Sequence, residues 1–227
     1  MTNNVLLSYS GSGNHLVRFF IELLTEQPTI GWGFVKEDVA IHKATFAEPI
    51  PFNIKDDAPP IYRKEHFAPE YKAEKLIVIM RNPREVLVRQ TGKNINNFAD
   101  GMFVNTSVVT EHIDFYFNIY KYYLDFKGEK LLLFYEDLIT EKKAFVQQLY
   151  DFLKPNKPEK LAYALENVDK LYTLSRTGKN RAWLGSKSDL TTNYYYKTLY
   201  SPVFFDECLR PNMEIYPELA KKFGYAL

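Results

Sequence analysis

The fold of this chain is decided near its beginning, by the stretch VLLSYSGSGNHLVRFF at residues 5–20. An apolar run is followed by a turn with two glycines and then by apolar residues at helical spacing. This pattern predicts a strand, a tight loop and a helix with one buried face. Ser12 or Asn14 is expected to cap the helix. Because a helix N-terminus behind a glycine-rich turn binds anions, the loop is predicted to hold a phosphate.

The loop lacks one part of an ATP-type phosphate loop. Such loops end in Gly-Lys-Ser/Thr, whose hydroxyl binds Mg²⁺, whereas Gly13 is followed here by Asn14 and His15. A lone Gly-x-Gly would be better interpreted as an ordinary turn, but this one directly follows a strand that opens the chain. We therefore predict a loop for a nucleotide that needs no metal, and the sequence shows no metal-type spacing of His, Cys or carboxylates.

The composition limits the class of protein. A chain of 227 residues predicts one domain, covering 1–227. A hydrophobic content of 46% excludes a disordered chain, and a net charge of +1 gives no reason to expect nucleic acid as a partner. Cys208 is the single cysteine, so no internal disulfide is expected. With no signal peptide and no apolar run of membrane-spanning length, we expect a cytoplasmic protein. No feature indicates an oligomeric state.

Apolar strands alternate with helical segments along the rest of the chain. The predicted strands are Ile61–His66, Lys75–Met80 and Lys130–Tyr135. The predicted helices start at Pro83 or cover Ile113–Leu124, Phe145–Leu153 and Leu161–Leu171, and Pro202, Pro211 and Pro217 are expected to break the helical C-terminal part. This alternation predicts an α/β fold with a parallel sheet.

Three stretches are predicted to be irregular, namely 29–60, 94–105 and 175–183. His42, in the first of them, is interpreted as a solvated loop histidine. The aromatic stripe of the 113–124 helix is interpreted as core packing. Arg81 follows the strand that ends at Met80, and it is therefore expected at the edge of the sheet where open α/β folds bind ligands.

Several of these segments, in this order, resemble motifs of the sulfotransferases that use 3′-phosphoadenosine 5′-phosphosulfate (PAPS). The family patterns are Tyr-Pro-Lys/Arg-Ser-Gly-Asn/Thr, Lys-Thr-His, Arg-Asn/Asp-Pro-x-Asp/Glu-Val, Tyr-Glu-Asp-Leu and Arg-Lys-Gly ahead of a Trp. The matching segments are Tyr9–His15, Lys64–His66, Arg81–Val86, Phe134–Leu138 and Arg176–Gly178 with Trp183. Their common order, each at a strand end or in a loop, carries the resemblance from Val5 to Trp183.

The resemblance implies a three-layer, P-loop-NTPase-like α/β fold with a central parallel sheet flanked by helices, with PAPS as co-substrate and PAP as product. The residues that would hold the 5′-phosphosulfate are Gly11, Ser12, Gly13, Asn14 and His15. Those that would surround the 3′-phosphate are Arg81, Arg89, Arg176, Thr177 and Gly178, and Tyr135 would lie near the adenosine. His66 would be the general base and Lys64 would supply positive charge.

Three positions depart from the family pattern. Gly11 stands where the family loop has Lys or Arg, Arg89 where it has Ser, and Thr177 where it has Lys. Arginine still binds phosphate, but it has no hydroxyl to donate.

The predicted activity is sulfuryl transfer to a small acceptor with a hydroxyl group, such as a carbohydrate. Two alternatives remain open at this stage. One is a small-molecule kinase of the same fold class, which the missing Gly-Lys-Ser/Thr ending disfavours. The other is a catalytically silent nucleotide-binding or interaction module, which the departures at Gly11 and Arg89 favour.

Overall fold

A central sheet organises the computed structural model, which describes residues 2–31, 40–44, 46–87, 106–177 and 202–225. Within these ranges, five parallel strands form one sheet in the order β2-β3-β1-β4-β5. The strands are β1 (Val5–Ser8), β2 (Thr29–Ile30), β3 (Tyr62–Glu65), β4 (Lys75–Met80) and β5 (Glu129–Phe134). The predicted parallel sheet is confirmed.

Strand β1 lies at the centre, between β3 and β4. All four of its residues are buried, as expected for a parallel strand covered on both faces. Its register places Leu7 opposite Glu65 of β3 and Ser8 opposite Ile79 of β4. The carboxyl ends of the three strands therefore meet at one edge. The strand order reverses there, and open α/β sheets bind ligands in the crevice beside such a point.

Helices cover both faces of the sheet. They are α1 (Asn14–Thr25), α2 (83–87), α3 (Thr106–Asp125), α4 (Tyr135–Thr140), α5 (Lys142–Leu153), α6 (Pro158–Glu166), α7 (Val168–Thr177), α8 (Pro202–Ile215) and α9 (Pro217–Phe223), with a 3₁₀ turn at Ile41–Lys43. One core joins Leu6 and Ile77 of the sheet to α1, α5, α6 and α7. The other joins Leu7 and Val78 to α3, α8 and α9. Successive residues of a strand thus contribute to the cores on opposite faces of the sheet. The predicted three-layer α/β fold is confirmed.

The structure corrects several local predictions. Gly13 is the N-cap of α1, with a left-handed backbone and no side-chain cap, so neither Ser12 nor Asn14 caps the helix. Pro211 lies inside α8 and does not end it. The predicted 161–171 helix is two helices separated by Asn167. Residues 175–177, expected in a loop, belong to α7. The predicted loop at 94–105 lies outside the described residues.

His42 is not a solvated loop histidine. Its Nδ1 lies 2.9 Å from the carboxylate of Glu22, and its backbone N–H donates to the same group at 2.7 Å. Thr29 donates to that carboxylate through both its N–H and its hydroxyl. Burial alone would raise the pKa of Glu22, but the hydrogen bonds from His42 and Thr29 together lower it. This buried carboxylate ties the 40–44 segment to α1.

No helix in the described part of the chain is long and apolar enough to cross a membrane.

Candidate active site

Four segments that are distant in sequence meet at the carboxyl edge of the sheet. They are the glycine loop after β1, His66 after β3, Arg81 after β4 and Tyr135 after β5. Parallel pairing alone brings these positions to one edge, because every strand runs in the same direction. The structure therefore gathers most of the predicted site residues that it describes.

The glycine loop has the backbone of an anion cradle. Gly11 and Gly13 have φ angles of 88° and 99°, a region that glycine enters without steric penalty. The Ser12 N–H donates to the Tyr9 carbonyl at 3.2 Å, which closes the turn. The Leu16 N–H donates to the Gly13 carbonyl in the first turn of α1. The N–H groups ahead of Leu16 have no helical carbonyl to receive them.

Two buried polar atoms in this loop have no hydrogen-bond partner among the described residues. They are the hydroxyl oxygen of Ser12 and the side-chain carbonyl oxygen of Asn14. Ser12 is fully buried, and the Asn14 amide donates to the Ser8 hydroxyl at 2.8 Å. Because buried polar groups normally have partners, the Ser12 hydroxyl fits a loop that binds a phosphate oxygen.

Tyr135 closes over the loop from the first turn of α4. A Cβ atom on Gly13 would lie 2.5 Å from Cδ2 of the Tyr135 ring, so only glycine fits beneath it. The ring also packs against Arg81, whose guanidinium carbon is 4.1 Å from the ring centroid. Burial raises the pKa of Tyr135, although Arg81 opposes the rise. The neutral phenol and the cation thus form one packed unit above the glycine loop.

Arg81 is buried and held from several directions. Its Nε donates to the carboxylate of Glu85, four residues later in α2, at 2.9 Å. Its Nη1 donates to the Gly11 carbonyl at 3.3 Å. The buried Tyr116 hydroxyl donates to the Arg81 backbone carbonyl at 2.7 Å. The guanidinium is therefore fixed directly beside the loop.

Arg176 is connected to Arg81 through two tyrosines. Tyr135 is hydrogen-bonded to Tyr172, and Arg176 donates to the Tyr172 hydroxyl at 3.3 Å. The Arg176 guanidinium carbon also lies 5.6 Å from the Tyr172 ring centroid. Unlike Arg81, Arg176 is exposed. The chain Arg81–Tyr135–Tyr172–Arg176 brings two of the three predicted 3′-phosphate arginines into one connected group.

His66 is anchored to the end of β1. Its Nδ1 lies 2.8 Å from the backbone carbonyl oxygen of Ser8. A carbonyl only accepts, so Nδ1 carries a proton, and in the neutral form of the ring the lone pair is on Nε2. Lys64 is buried two residues earlier and is paired in register with Leu6. It therefore lies on the α1 face of the sheet.

The sequence analysis missed several supporting residues. Glu136 accepts the Asn82 N–H at 2.8 Å, and burial raises the pKa of its carboxyl group. Tyr116 belongs to the stripe interpreted as core packing, and it also holds the Arg81 carbonyl. Tyr172 and His112 were not identified at all. Only the Glu136 position, inside the Tyr-Glu-Asp-Leu motif, carried a readable signal.

Some predicted site residues cannot be placed. Arg89 and Gly178 lie outside the described residues, and Thr177 is described only as the last residue of α7. His15 is the exposed second residue of α1. Within the described ranges, no group of three His, Cys, Asp or Glu side chains is arranged to hold a metal ion.

Comparison with known proteins identifies the architecture. No family model matches the chain, and no curated protein sequence matches it. Among solved structures, mouse sulfotransferase SULT7A1 complexed with PAP is similar over 99% of this chain and 89% of its own, with a TM-score of 0.60 and 15% identity. The chain has a sulfotransferase fold. Retinol dehydratase in a complex with retinol and PAP is similar over 96% and 81% of the two chains, with a TM-score of 0.50 and 13% identity.

The sulfotransferase fold confirms the fold that the motifs at residues 9–15 and 81–86 predicted. The predicted roles of individual residues stay predictions, because the likeness at these identities concerns the fold.

Proposed function

We propose that the chain transfers a sulfuryl group from PAPS to a hydroxyl group of a small acceptor, with carbohydrates as the leading acceptor class. One observation carries the proposal. A glycine loop whose buried Ser12 hydroxyl has no partner in the described part of the chain, a fixed arginine and a histidine that donates from Nδ1 lie at the same edge of a sulfotransferase fold. PAP is present in the two solved structures described above.

The 5′-phosphate would bind at the start of α1. The N–H groups of Gly13 and Asn14 lie ahead of Leu16, whose N–H donates to the Gly13 carbonyl in the first turn of α1, and the helix dipole adds positive potential there. The buried Ser12 hydroxyl would donate to a phosphate oxygen and so gain the partner it lacks among the described residues. Charge that develops on the leaving phosphate would be stabilised by these donors, which are in place before the reaction.

The 3′-phosphate would bind to Arg81. Arginine has five N–H donors, and the contacts with Glu85 and Gly11 occupy only part of them. The guanidinium is held by Tyr135 and Glu85, so little side-chain freedom would be lost on binding. Arg176, at the other end of the tyrosine pair, would add charge on the same side, and Arg89 stays a predicted third cation.

His66 would take the proton of the acceptor hydroxyl. The lone pair on its Nε2 receives that proton while the acceptor oxygen forms a bond to sulfur and the bond from sulfur to the 5′-phosphate oxygen breaks. The Ser8 carbonyl keeps Nδ1 protonated and would stabilise the imidazolium that forms. Lys64 would offset negative charge near the transferring group, a role for which Gly11 offers no cation.

Two substitutions of His66 test this proposal. His66→Ala removes both ring nitrogens, whereas His66→Asn keeps an amide donor for the Ser8 carbonyl and removes only the basic nitrogen. Both should lower PAPS-dependent turnover, on the order of 10²–10⁴-fold for loss of a general base, and both should leave PAP affinity unchanged by calorimetry. If His66→Asn turns over like wild type, the histidine is an anchor and not the base.

A transfer assay with labelled PAPS distinguishes the proposed sulfotransferase from a kinase and from a silent nucleotide-binding module. Transfer from labelled PAPS to a panel of sugars and other alcohols should persist in a chelator, because the loop has no Mg²⁺ hydroxyl. Transfer that depends on ATP and Mg²⁺ would instead support a kinase. Binding of PAP without transfer to any acceptor would support a silent nucleotide-binding module.

A further inference from the structure

The last turn of α9 packs against the end of β5. The ring of Phe223 lies edge-on to the ring of Phe134, with centroids 5.7 Å apart. Lys222 forms an ion pair with Asp137 of α4, and its Nζ lies 4.7 Å from the centroid of the Phe134 ring. Phe134 directly precedes Tyr135, whose ring covers the glycine loop. Helix α9 therefore supports one of the strand ends that form the proposed nucleotide site.

Tyr225, two residues after α9, contacts a second strand end. Its hydroxyl lies 3.3 Å from Oδ1 of Asn82, the residue after Arg81. Because the same Oδ1 also accepts the backbone N–H of Arg84 at 3.0 Å, and an N–H only donates, this atom is the amide oxygen. Burial raises the pKa of Tyr225 to about 12, although Arg84 opposes the rise. The protonated hydroxyl is therefore the donor of this hydrogen bond and Asn82 is the acceptor.

Asn82 and Arg84 are both held where α2 (83–87) begins. Asn82 caps the helix, because its Oδ1 accepts the N–H of Arg84 just past Pro83. The Arg84 guanidinium donates through Nε to the Asp206 carboxylate of α8 at 2.9 Å, and Nη2 contacts the same oxygen. The guanidinium carbon lies 5.7 Å from the ring centroid of Tyr225. The start of α2 is thus held by α8 and by Tyr225.

The peptide group between Arg81 and Asn82 is held as well. Tyr116 of α3 donates to its carbonyl at 2.7 Å, and its N–H donates to the Glu136 carboxylate at 2.8 Å. Both backbone groups and the side chain that follows them are therefore fixed. The Arg81 Nη1 lies 3.3 Å from the Gly11 carbonyl. This position depends on the fixed backbone, since a free arginine side chain samples many rotamers.

We propose that Tyr225 is a positioning residue for the nucleotide, and that its hydroxyl fixes the start of α2 and thereby the Arg81 guanidinium that binds the 3′-phosphate. This inference rests on the proposed function, because Arg81 is the proposed 3′-phosphate ligand. Tyr225 acts through Asn82 and does not touch the nucleotide. Because the coupling of binding free energies is reciprocal, PAP in turn stabilises the contact between Tyr225 and Asn82.

Two tyrosine variants, each of which loses one half-buried hydroxyl, test the proposal. Tyr225→Phe removes the donor to Asn82. Tyr150→Phe is the matched control, because its hydroxyl accepts the N–H of Lys157 at 3.1 Å and its ring packs on the sheet face opposite to Tyr225. Calorimetry should show PAP binding weakened roughly 2- to 12-fold in Tyr225→Phe, the range for one net neutral hydrogen bond, and unchanged in Tyr150→Phe. Binding of 5′-AMP, which has no 3′-phosphate, should be equal in all three proteins.

A double-mutant cycle with Asn82→Ala separates positioning from a general loss of stability. Asn82→Ala removes the acceptor, so Tyr225→Phe should weaken PAP binding no further in that background. In turnover, Tyr225→Phe should raise KM for PAPS and leave kcat unchanged, because the proton transfer to His66 does not involve the start of α2. Additive losses in the cycle, or an equal loss of affinity for PAP and 5′-AMP in Tyr225→Phe, contradict the proposal.

The contact is also tested without any nucleotide. Hydrogen exchange of the Asn82 N–H, measured against the amides of β1, should be faster in Tyr225→Phe than in wild type or Tyr150→Phe, and unchanged exchange overturns the proposal. Unchanged PAP affinity in Tyr225→Phe, beside binding of PAP by wild type, also overturns it and leaves the proposed function standing. Faster exchange together with no PAP binding by wild type supports the positioning of Asn82 by Tyr225 and refutes the proposed function.

Discussion

Gly13→Ala is the substitution that most directly probes the packed unit of loop, tyrosine and arginine. The added Cβ would lie 2.5 Å from the Tyr135 ring, on a residue with φ of 99°. Two effects therefore combine at one position. The backbone is held in a left-handed conformation that alanine disfavours, and the ring that covers the loop must move.

The magnitude follows from these two effects. A left-handed conformation costs a residue with a Cβ roughly 1–2 kcal/mol. Because carbon atoms in contact are about 3.5–4.0 Å apart, Tyr135 must also move by about 1 Å. That shift weakens the contact between its ring and Arg81, worth about 0.5–2 kcal/mol. We expect a total loss of about 1.5–4 kcal/mol in the free energy of unfolding.

The matched control is Gly224→Ala, at the end of α9. Gly224 also has a positive φ, 71°, but a Cβ there would meet nothing within 4 Å. It should show the backbone cost alone, so the difference between the two variants in urea unfolding measures the clash with Tyr135. Calorimetry with PAP should show roughly tenfold weaker binding or worse for Gly13→Ala, as expected when a charged hydrogen bond from Arg81 is lost. Equal destabilisation of both variants, with unchanged PAP affinity in Gly13→Ala, would refute this reasoning.

Two further substitutions test the 3′-phosphate assignment and the buried carboxylate. Arg81→Ala should weaken PAP binding by roughly 10- to 150-fold, as expected for one charge-assisted contact, and leave 5′-AMP binding nearly unchanged. Equal losses for both nucleotides in calorimetry would contradict the assignment. Glu22→Gln should cost roughly 3–5 kcal/mol at pH 7, because it breaks a buried charged network. The lowered pKa of Glu22 means that its stabilisation is complete above the ordinary glutamate pKa and is lost as pH falls through the folded value. Urea unfolding of wild type and variant should therefore converge in acid, and a constant difference would show that Glu22 is not ionised in the fold.

Local sequence pattern was sufficient to predict the elements whose residues are close together in the chain. The strand, loop and helix at residues 5–20 were predicted because apolar periodicity and two glycines constrain neighbouring residues directly. The position of Arg81 at the binding edge was predicted for the same reason, since it follows the apolar run Lys75–Met80. In a parallel sheet, the end of a strand is enough to assign an edge.

Pattern failed where local propensity was overruled by tertiary contacts. Pro211 has a strong tendency to break a helix, yet α8 continues through it. His42 has polar and proline-rich surroundings in sequence, but Glu22, twenty residues away, gives its ring a buried carboxylate partner. Neither outcome can be derived from residues adjacent in the chain.

The sequence by itself determined the α/β class with a parallel sheet and the edge at which Gly13 and Arg81 lie, because both follow from periodicity and chain direction. Only the tertiary structure decided which side chains act on one another there. Tyr9 and His112 are separated by 103 positions, and Gly13 meets Tyr135 only because β1 and β5 end at the same edge of the sheet. Hydrogen bonds and ring contacts act over a few ångströms in space, and sequence spacing carries no information about such distances between separate elements.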